Sequence, residues 1–376
     1  MKERMPFWEG VAVIVGTIVG AGIIGVPFVF AQSGFLTATL VLILIGSALF
    51  IARLMLGEVI MRTEEVYQLT GYTKKYLGRF FQHLQGLVLV SSIFGTLLAY
   101  MISQGDILSA LLGGSPTTWS LVFYLLFSMM VIYGIDVVKR SELLMIVAVF
   151  FIMVVIAAYS APEIQPSFLV EFDASNILLP FGVIMFACAG LVSIPAAWRV
   201  LKKAGREDLF KSVIIWGGVI PPVLYFIFAL LVVGITGPQT SEVATVSLGE
   251  AIGPHMIIMG NVFAFFTVAT SFLTIALAQQ DIFRRDYELS RPISSALVVV
   301  VPVVLFSFGF SNFIEIISFV GAFMVGVNGL LAVWLFWVAR KYGKLRPSFI
   351  VPTWLAVPMS VFLVVIFVAG IISVFV

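Results

Sequence analysis

The chain is laid out in long apolar blocks parted by short polar ones, and the blocks carry no polar face. A hydrocarbon core about 30 Å thick asks a helix for about 20 apolar residues in a row. Eleven such runs occur, at about 8–32, 36–61, 82–104, 118–136, 142–160, 175–198, 212–235, 256–280, 293–309, 314–338 and 350–375. They predict an all-α integral membrane protein with eleven transmembrane helices, spans 1 to 11. Strands are not expected, because a transmembrane barrel would show segments of about 10 residues with alternating polarity. Between spans 2 and 3, "TEEVYQLTGYTKKYLGRFFQ" mixes aromatic residues with Lys and Arg and predicts a helix lying in the membrane interface. The loop "TSEVATVSLGEAIGPH" predicts a short helix capping the opposite face.

Composition agrees: 61% of the 376 residues are hydrophobic and 11% charged, more apolar surface than one soluble core can hide. The first run is too long for a cleaved signal peptide and lacks a small-residue cleavage site. Cys188 is the single cysteine, which excludes an internal disulfide and a thiolate metal cluster. Charge placement sets the topology. Apart from Arg53, inside span 2, every Lys and Arg falls on one side of the proposed membrane, from Lys2 and Arg4 through Lys139 and Arg140 to Arg346. The opposite loops carry Asp106, Glu163, Glu171, Asp173, Glu242 and Glu250 with no basic residue. By the positive-inside rule the basic side is the cytoplasm. Eleven spans then put the N-terminus inside and Val376 outside a multi-pass protein of the cell's inner (plasma) membrane.

No linker divides the chain, so residues 1–376 are expected to form one transmembrane domain. Two spans are interrupted, span 1 in "GAGIIG" (Gly20 to Gly25, with Pro27 close behind) and span 6 in "ACAG" (Ala187 to Gly190). Paired interruptions five spans apart point to two inverted repeats around a midplane site. Repeat one would cover about 8–160 and repeat two about 175–338, with about 350–375 added. A competing explanation for span 1 is close helix packing through the small-residue spacing of Gly16 and Gly20. Broken backbone at membrane depth is tolerated only when buried in protein or facing a watery cavity. Its freed amides suit a carboxylate, and its freed carbonyls suit an ammonium group or a cation.

Spans 3, 6, 7, 8, 9 and 11 have no charged residue at mid-depth. Glu58 is expected to pair with Arg62 one turn on, Asp281 to lie near Arg284, and Glu315 to sit at the outer end of span 10. Arg53 could snorkel or face Glu9, with a structural or gating role ahead of substrate contact. A neutral pocket lined by split helix ends suits a zwitterion with an uncharged side chain. In span 8, Thr267, Thr270 and Ser271 share one face at i, i+3 and i+4. Their hydroxyls could help cage a small hard cation or simply bond a carbonyl one turn back. An enzyme is not expected: no deep carboxylate pair or activated nucleophile is present, and His83 and His255 lie near span ends. No cofactor and no nucleic-acid partner are expected, and protein partners stay open.

"GTIVGAGIIGVPFVFAQSGF", "LGEVIMRTEEVYQLTGYTKKYLGR", "LPFGVIMFACAGLVSIP", "FTVATSFLT" with "DIFRRD", and "NFIEIISFVGAF" follow one another along nearly the whole chain. Through them it resembles the amino acid, polyamine and organocation superfamily and, within it, prokaryotic members of the amino acid/auxin permease family. The resemblance implies the leucine-transporter-type five-plus-five inverted repeat and alternating access, with spans 1, 2, 6 and 7 rocking against spans 3, 4, 8 and 9. It implies that a substrate carboxylate meets amides at the break, around Gly20, Ala21, Gly22 and Ile23. The amino group would meet carbonyls near Gly16, Thr17, Phe186, Ala187 and Cys188. Side-chain selectivity would come from Ser91 or Ser92, Phe94, Phe186 and Asn328. The sodium site common in this fold would map to the carbonyls of Gly16 and Val19 with Thr267, Thr270 and Ser271. Two departures stand out: span 5 lacks the lysine that some relatives use in place of sodium, and Ala196 and Ala197 follow Pro195 where relatives often carry a glutamate. The expectation is a secondary transporter of neutral apolar or aromatic amino acids, with sodium favoured over protons as coupling ion. Its alternatives are a membrane sensor resembling germination-receptor subunits and an uncoupled exchanger.

Overall fold

The computed structural model describes residues 5–133, 151, 153–285 and 287–373. Span 1 is two helices, α1 (Met5–Ile18) and α2 (Gly22–Ser33), whose axes bend by 54°. Next come α3 (Phe35–Met61), α4 (Leu69–Leu77), α5 (Arg79–Leu112) and α6 (Pro116–Tyr133). The expected span 5 falls largely outside the described residues, and helical residues 153–160 form its end. Span 6 is again two helices, α7 (Phe181–Ala187) and α8 (Ser193–Lys203). They lead into α9 (Phe210–Thr236), α10 (Ala244–Ile252), α11 (Pro254–Arg285) and α12 (Arg291–Ser307). Span 10 runs from α13 (Phe313–Phe319) through a π-helical segment, Val320–Val325, into α14 (Gly326–Tyr342), and α15 (Thr353–Ser373) closes the series. No strand occurs among the described residues.

The two segments between spans expected to be helical form α4 and α10. Among the described residues, six helices are individually long and apolar enough to cross a membrane, or seven if α1 and α2 are taken together, and α6 and α12 are apolar but shorter. The count of eleven therefore remains an expectation that runs through residues outside those described. Both breaks are displaced from their expected positions. Span 1 unwinds only over 19–21 and resumes at Gly22, so Pro27 lies within α2. A proline removes a single rung of the helix ladder, and in a membrane helix neighbouring elements compensate for it. Span 6 unwinds over 188–192, because the Cys188 amide still closes a helical bond to the Ile184 carbonyl at 2.9 Å.

The helices sort into two groups. α1, α2, α3, α7, α8 and α9 pack on one another, as do α5, α6, α11 and α12, and span 10 touches both sets. Glu58 on α3 fastens the first group to the end of the chain. Its carboxylate is fully buried and accepts from Arg62 at 2.8 Å, Arg340 of α14 at 3.0 Å and the Val351 amide at 2.7 Å. Sequence reasoning expected Arg62 alone. A buried carboxylate needs compensation of this kind, and α14 and the approach to α15 supply the rest.

Candidate functional site

The two unwound segments lie against each other. A Cβ on Gly22 would stand 2.7 Å from the Ala187 Cα, and one on Gly190 would stand 2.5 Å from the Ile18 Cγ1. Each break thus places a glycine where the other span's backbone or side chain needs room, a close approach that only glycine allows. The backbone groups freed by span 1 gather here. Among the described residues the amides of Gly20, Ala21 and Gly22 have no backbone acceptor, the Ala21 amide meeting the Tyr100 hydroxyl instead, and no backbone amide donates to the carbonyls of Gly16 and Thr17. Donors open the start of α2 and acceptors close the end of α1, as the dipoles of two half-helices require.

A cavity of about 390 Å³ opens onto this meeting point. It lies between the two helix groups and runs from Gly20 and Gly22 to Gln68, Arg199 and Asp281, beside the basic loops. Of the residues predicted from sequence, Thr17, Gly20, Gly22, Ser92, Phe186, Cys188 and Asn328 line it. Asn328 follows the π-helical segment. Its Nδ2 donates to the Met324 carbonyl at 3.0 Å, while its buried Oδ1 has no partner and remains an available acceptor. Ala21 and Ile23 are buried at the break, and the Ala187 side faces Gly22. Ser91 and Phe94 are not part of the lining. The Phe94 ring instead lies 6.0 Å from that of Phe283, because on α5 these two residues turn away from the face that bears Ser92.

Three contacts at the breaks escaped the sequence reading. The hydroxyl of Tyr225, on α9, lies 2.7 Å from the Ile18 carbonyl and 2.9 Å from the Ala187 carbonyl, bridging both breaks. Tyr100 of α5 lines the cavity, and a Cβ on Gly20 would come 2.5 Å from its hydroxyl. Arg53 neither snorkels nor meets Glu9. Its Nη2 donates to the Cys188 carbonyl, and the residue is part of the cavity lining. The lining expected to be neutral therefore includes Arg53, with Arg199 and Asp281 towards the basic loops. A signal for the tyrosines was available: a hydroxyl in the middle of an apolar span must find a partner.

The proposed cation ligands come together in part. Gly16, Val19, Thr267 and Thr270 line a second cavity of about 200 Å³. Ser271 Oγ donates to the Val19 carbonyl at 3.0 Å, linking α11 to the break. Thr267 and Thr270 donate to the carbonyls of Phe263 and Thr267, at 2.8 and 2.9 Å, the bonding one turn back that was the alternative. A hydroxyl that donates its proton keeps its lone pairs, so these bonds leave the oxygens able to face a cation. Among the described residues no group of His, Cys, Asp and Glu could hold a metal ion.

Comparison with known proteins places this geometry. The chain is 22% identical over 336 residues to Glutamine transporter 2 of Aliivibrio fischeri, covering 83% of this chain and 84% of that one. It is 24% identical over 349 residues to Tyrosine-specific transport system 1 of Haemophilus influenzae, covering 87% of each. The crystal structure of MhsT in complex with L-phenylalanine superposes with a TM-score of 0.70 at 16% sequence identity, over 98% of both chains. That likeness shows the leucine-transporter-type fold that the sequence resemblance implied. Where the sequence resemblance pointed to the amino acid/auxin permease family, the family model that matches, over residues 3–374, is that of the tryptophan/tyrosine permease family. The chain belongs to the tryptophan/tyrosine permease family: it is a multi-pass membrane permease and not an enzyme.

Proposed function

We propose that the protein is a secondary active transporter of neutral amino acids with apolar or aromatic side chains, working by alternating access. The observation that carries this reading is the meeting of the two breaks at Gly22 and Ala187, beside a cavity of about 390 Å³. That volume suits a small-molecule site of about 300–1,000 Å³. The amides of Gly20, Ala21 and Gly22 would receive the substrate carboxylate at the positive end of α2, and the carbonyls of Gly16 and Thr17 its ammonium group. Phe186, Ser92 and Asn328 would meet the side chain. Relatives named for glutamine and tyrosine, and a structural neighbour holding L-phenylalanine, support an uncharged amino acid as cargo.

Coupling is assigned to sodium. Gly16, Val19, Thr267, Thr270 and Ser271 offer neutral oxygens, the ligand type a hard monovalent cation takes, and no lysine of span 5 is available to stand in for it. The basic loops are assigned to the cytoplasm, so the cavity opens inward. The test is equilibrium binding to the purified protein of a panel of labelled neutral, acidic and basic amino acids, with sodium or choline as the cation. The expected outcome is binding of apolar or aromatic members that strengthens in sodium. Binding confined to charged amino acids would refute the substrate class, and equal affinity in choline would refute sodium coupling.

A further inference from the structure

Arg53 is a charge without a counter-charge. It is 1% exposed and sits in a slot cut by two glycines: a Cβ on Gly190 would stand 3.4 Å from its Nε, and one on Gly218 of α9 would stand 3.4 Å from its Nη1. Nη2 donates to the Cys188 carbonyl, whereas Nε and Nη1 meet no acceptor among the described residues. No carboxylate pairs with Arg53 among the described residues. A guanidinium stays protonated in proteins, so its charge is permanent. What stabilises it is position: the carbonyl end of α7 is the negative end of a half-helix, and Arg53 is a cation tethered there from α3.

This location matters for what the cavity accepts. Arg53 lines it with Arg199 and Asp281, two arginines against one aspartate. The freed carbonyl of span 6 that would draw a second ammonium group already holds a cation of the protein's own. Inside a poorly solvated cavity like charges repel far more strongly than in water. We propose that Arg53 is a specificity-determining residue that makes this cavity reject amino acids with cationic side chains. The inference rests on the reading above, that an amino acid binds beside the two breaks.

The test uses the full-length protein in lipid nanodiscs and ligand pairs that differ by one ammonium group: norleucine with lysine, and phenylalanine with 4-aminomethylphenylalanine. In the wild-type protein the neutral member of a pair should bind about 100-fold more tightly than the cationic one, and Arg53→Gln should shrink that ratio about tenfold or more. Arg53→Lys, which keeps the charge, should preserve the ratio. Cys188→Asp, which keeps the arginine and sets a carboxylate where the thiol already feels the Arg53 charge, should shrink the ratio as Arg53→Gln does. It decides the matter if Arg53→Gln does not fold. A ratio unchanged in Arg53→Gln or in Cys188→Asp overturns the proposal while leaving the neutral-substrate reading intact. Failure of both neutral ligands to bind the wild-type protein overturns the two together.

Discussion

Gly22 is where span 1 meets the backbone of span 6, and its missing side chain is what lets it. A methyl group there would stand 2.7 Å from the Ala187 Cα, a contact that only backbone movement relieves. Overpacking of this kind costs about 1–3 kcal/mol. Gly22→Ala is therefore expected to weaken amino acid binding by about 10- to 100-fold, with the size-exclusion profile and helix content unchanged. Wild-type affinity in this variant would remove the close approach from the site. Gly20 and Gly22 could be read in the sequence because a matching interruption follows five spans later, which helix packing in span 1 alone does not explain. Arg53 could be read only as an anomaly. Its acceptor, the Cys188 carbonyl, lies 135 residues away, and a backbone carbonyl freed by unwinding leaves no mark in the residue names.

Among the elements, the half-helices α1 and α7 are tied together by a third, α9. The Tyr225 hydroxyl has one proton and two carbonyls within reach, those of Ile18 and Ala187, so it bridges span 1 and span 6 from span 7. Deleting a buried hydrogen-bonding group costs about 1–3 kcal/mol. Tyr225→Phe should accordingly lower the melting temperature of the detergent-solubilised protein by a few degrees, with its helix content kept. An unchanged melting temperature would mean that the bridge carries no load. The spans themselves were legible because apolar length is written directly into composition. The breaks were found to within a few residues, but Pro27 misled because a proline can bend a helix that continues. The π-helical segment Val320–Val325 had no such signal. It arises where span 10 crosses α7 so closely that a Cβ on Gly182 would come 2.5 Å from the Ser318 carbonyl oxygen, a consequence of packing that no local pattern announces.

Across the whole molecule, the two packed groups correspond to spans 1, 2, 6 and 7 and to spans 3, 4, 8 and 9, the sets expected to move against each other. The cavity lies along their boundary and reaches the basic loops at Gln68 and Arg199. At the other end of α3, Leu36 and Thr37 bond to Glu171 and Asp173 of the acidic loop before α7. Under the proposed alternating access, rocking the first group about the site would close the opening beside the basic loops, which is how a substrate held at Gly22 would change sides. The measurement that tests this most directly is uptake of labelled amino acids into proteoliposomes under an inward sodium gradient, an inward proton gradient, or neither. The account predicts accumulation of an apolar or aromatic amino acid above its external concentration under the sodium gradient alone. Specific binding with no flux under any gradient would contradict it and make the protein a sensor built on a transporter's fold.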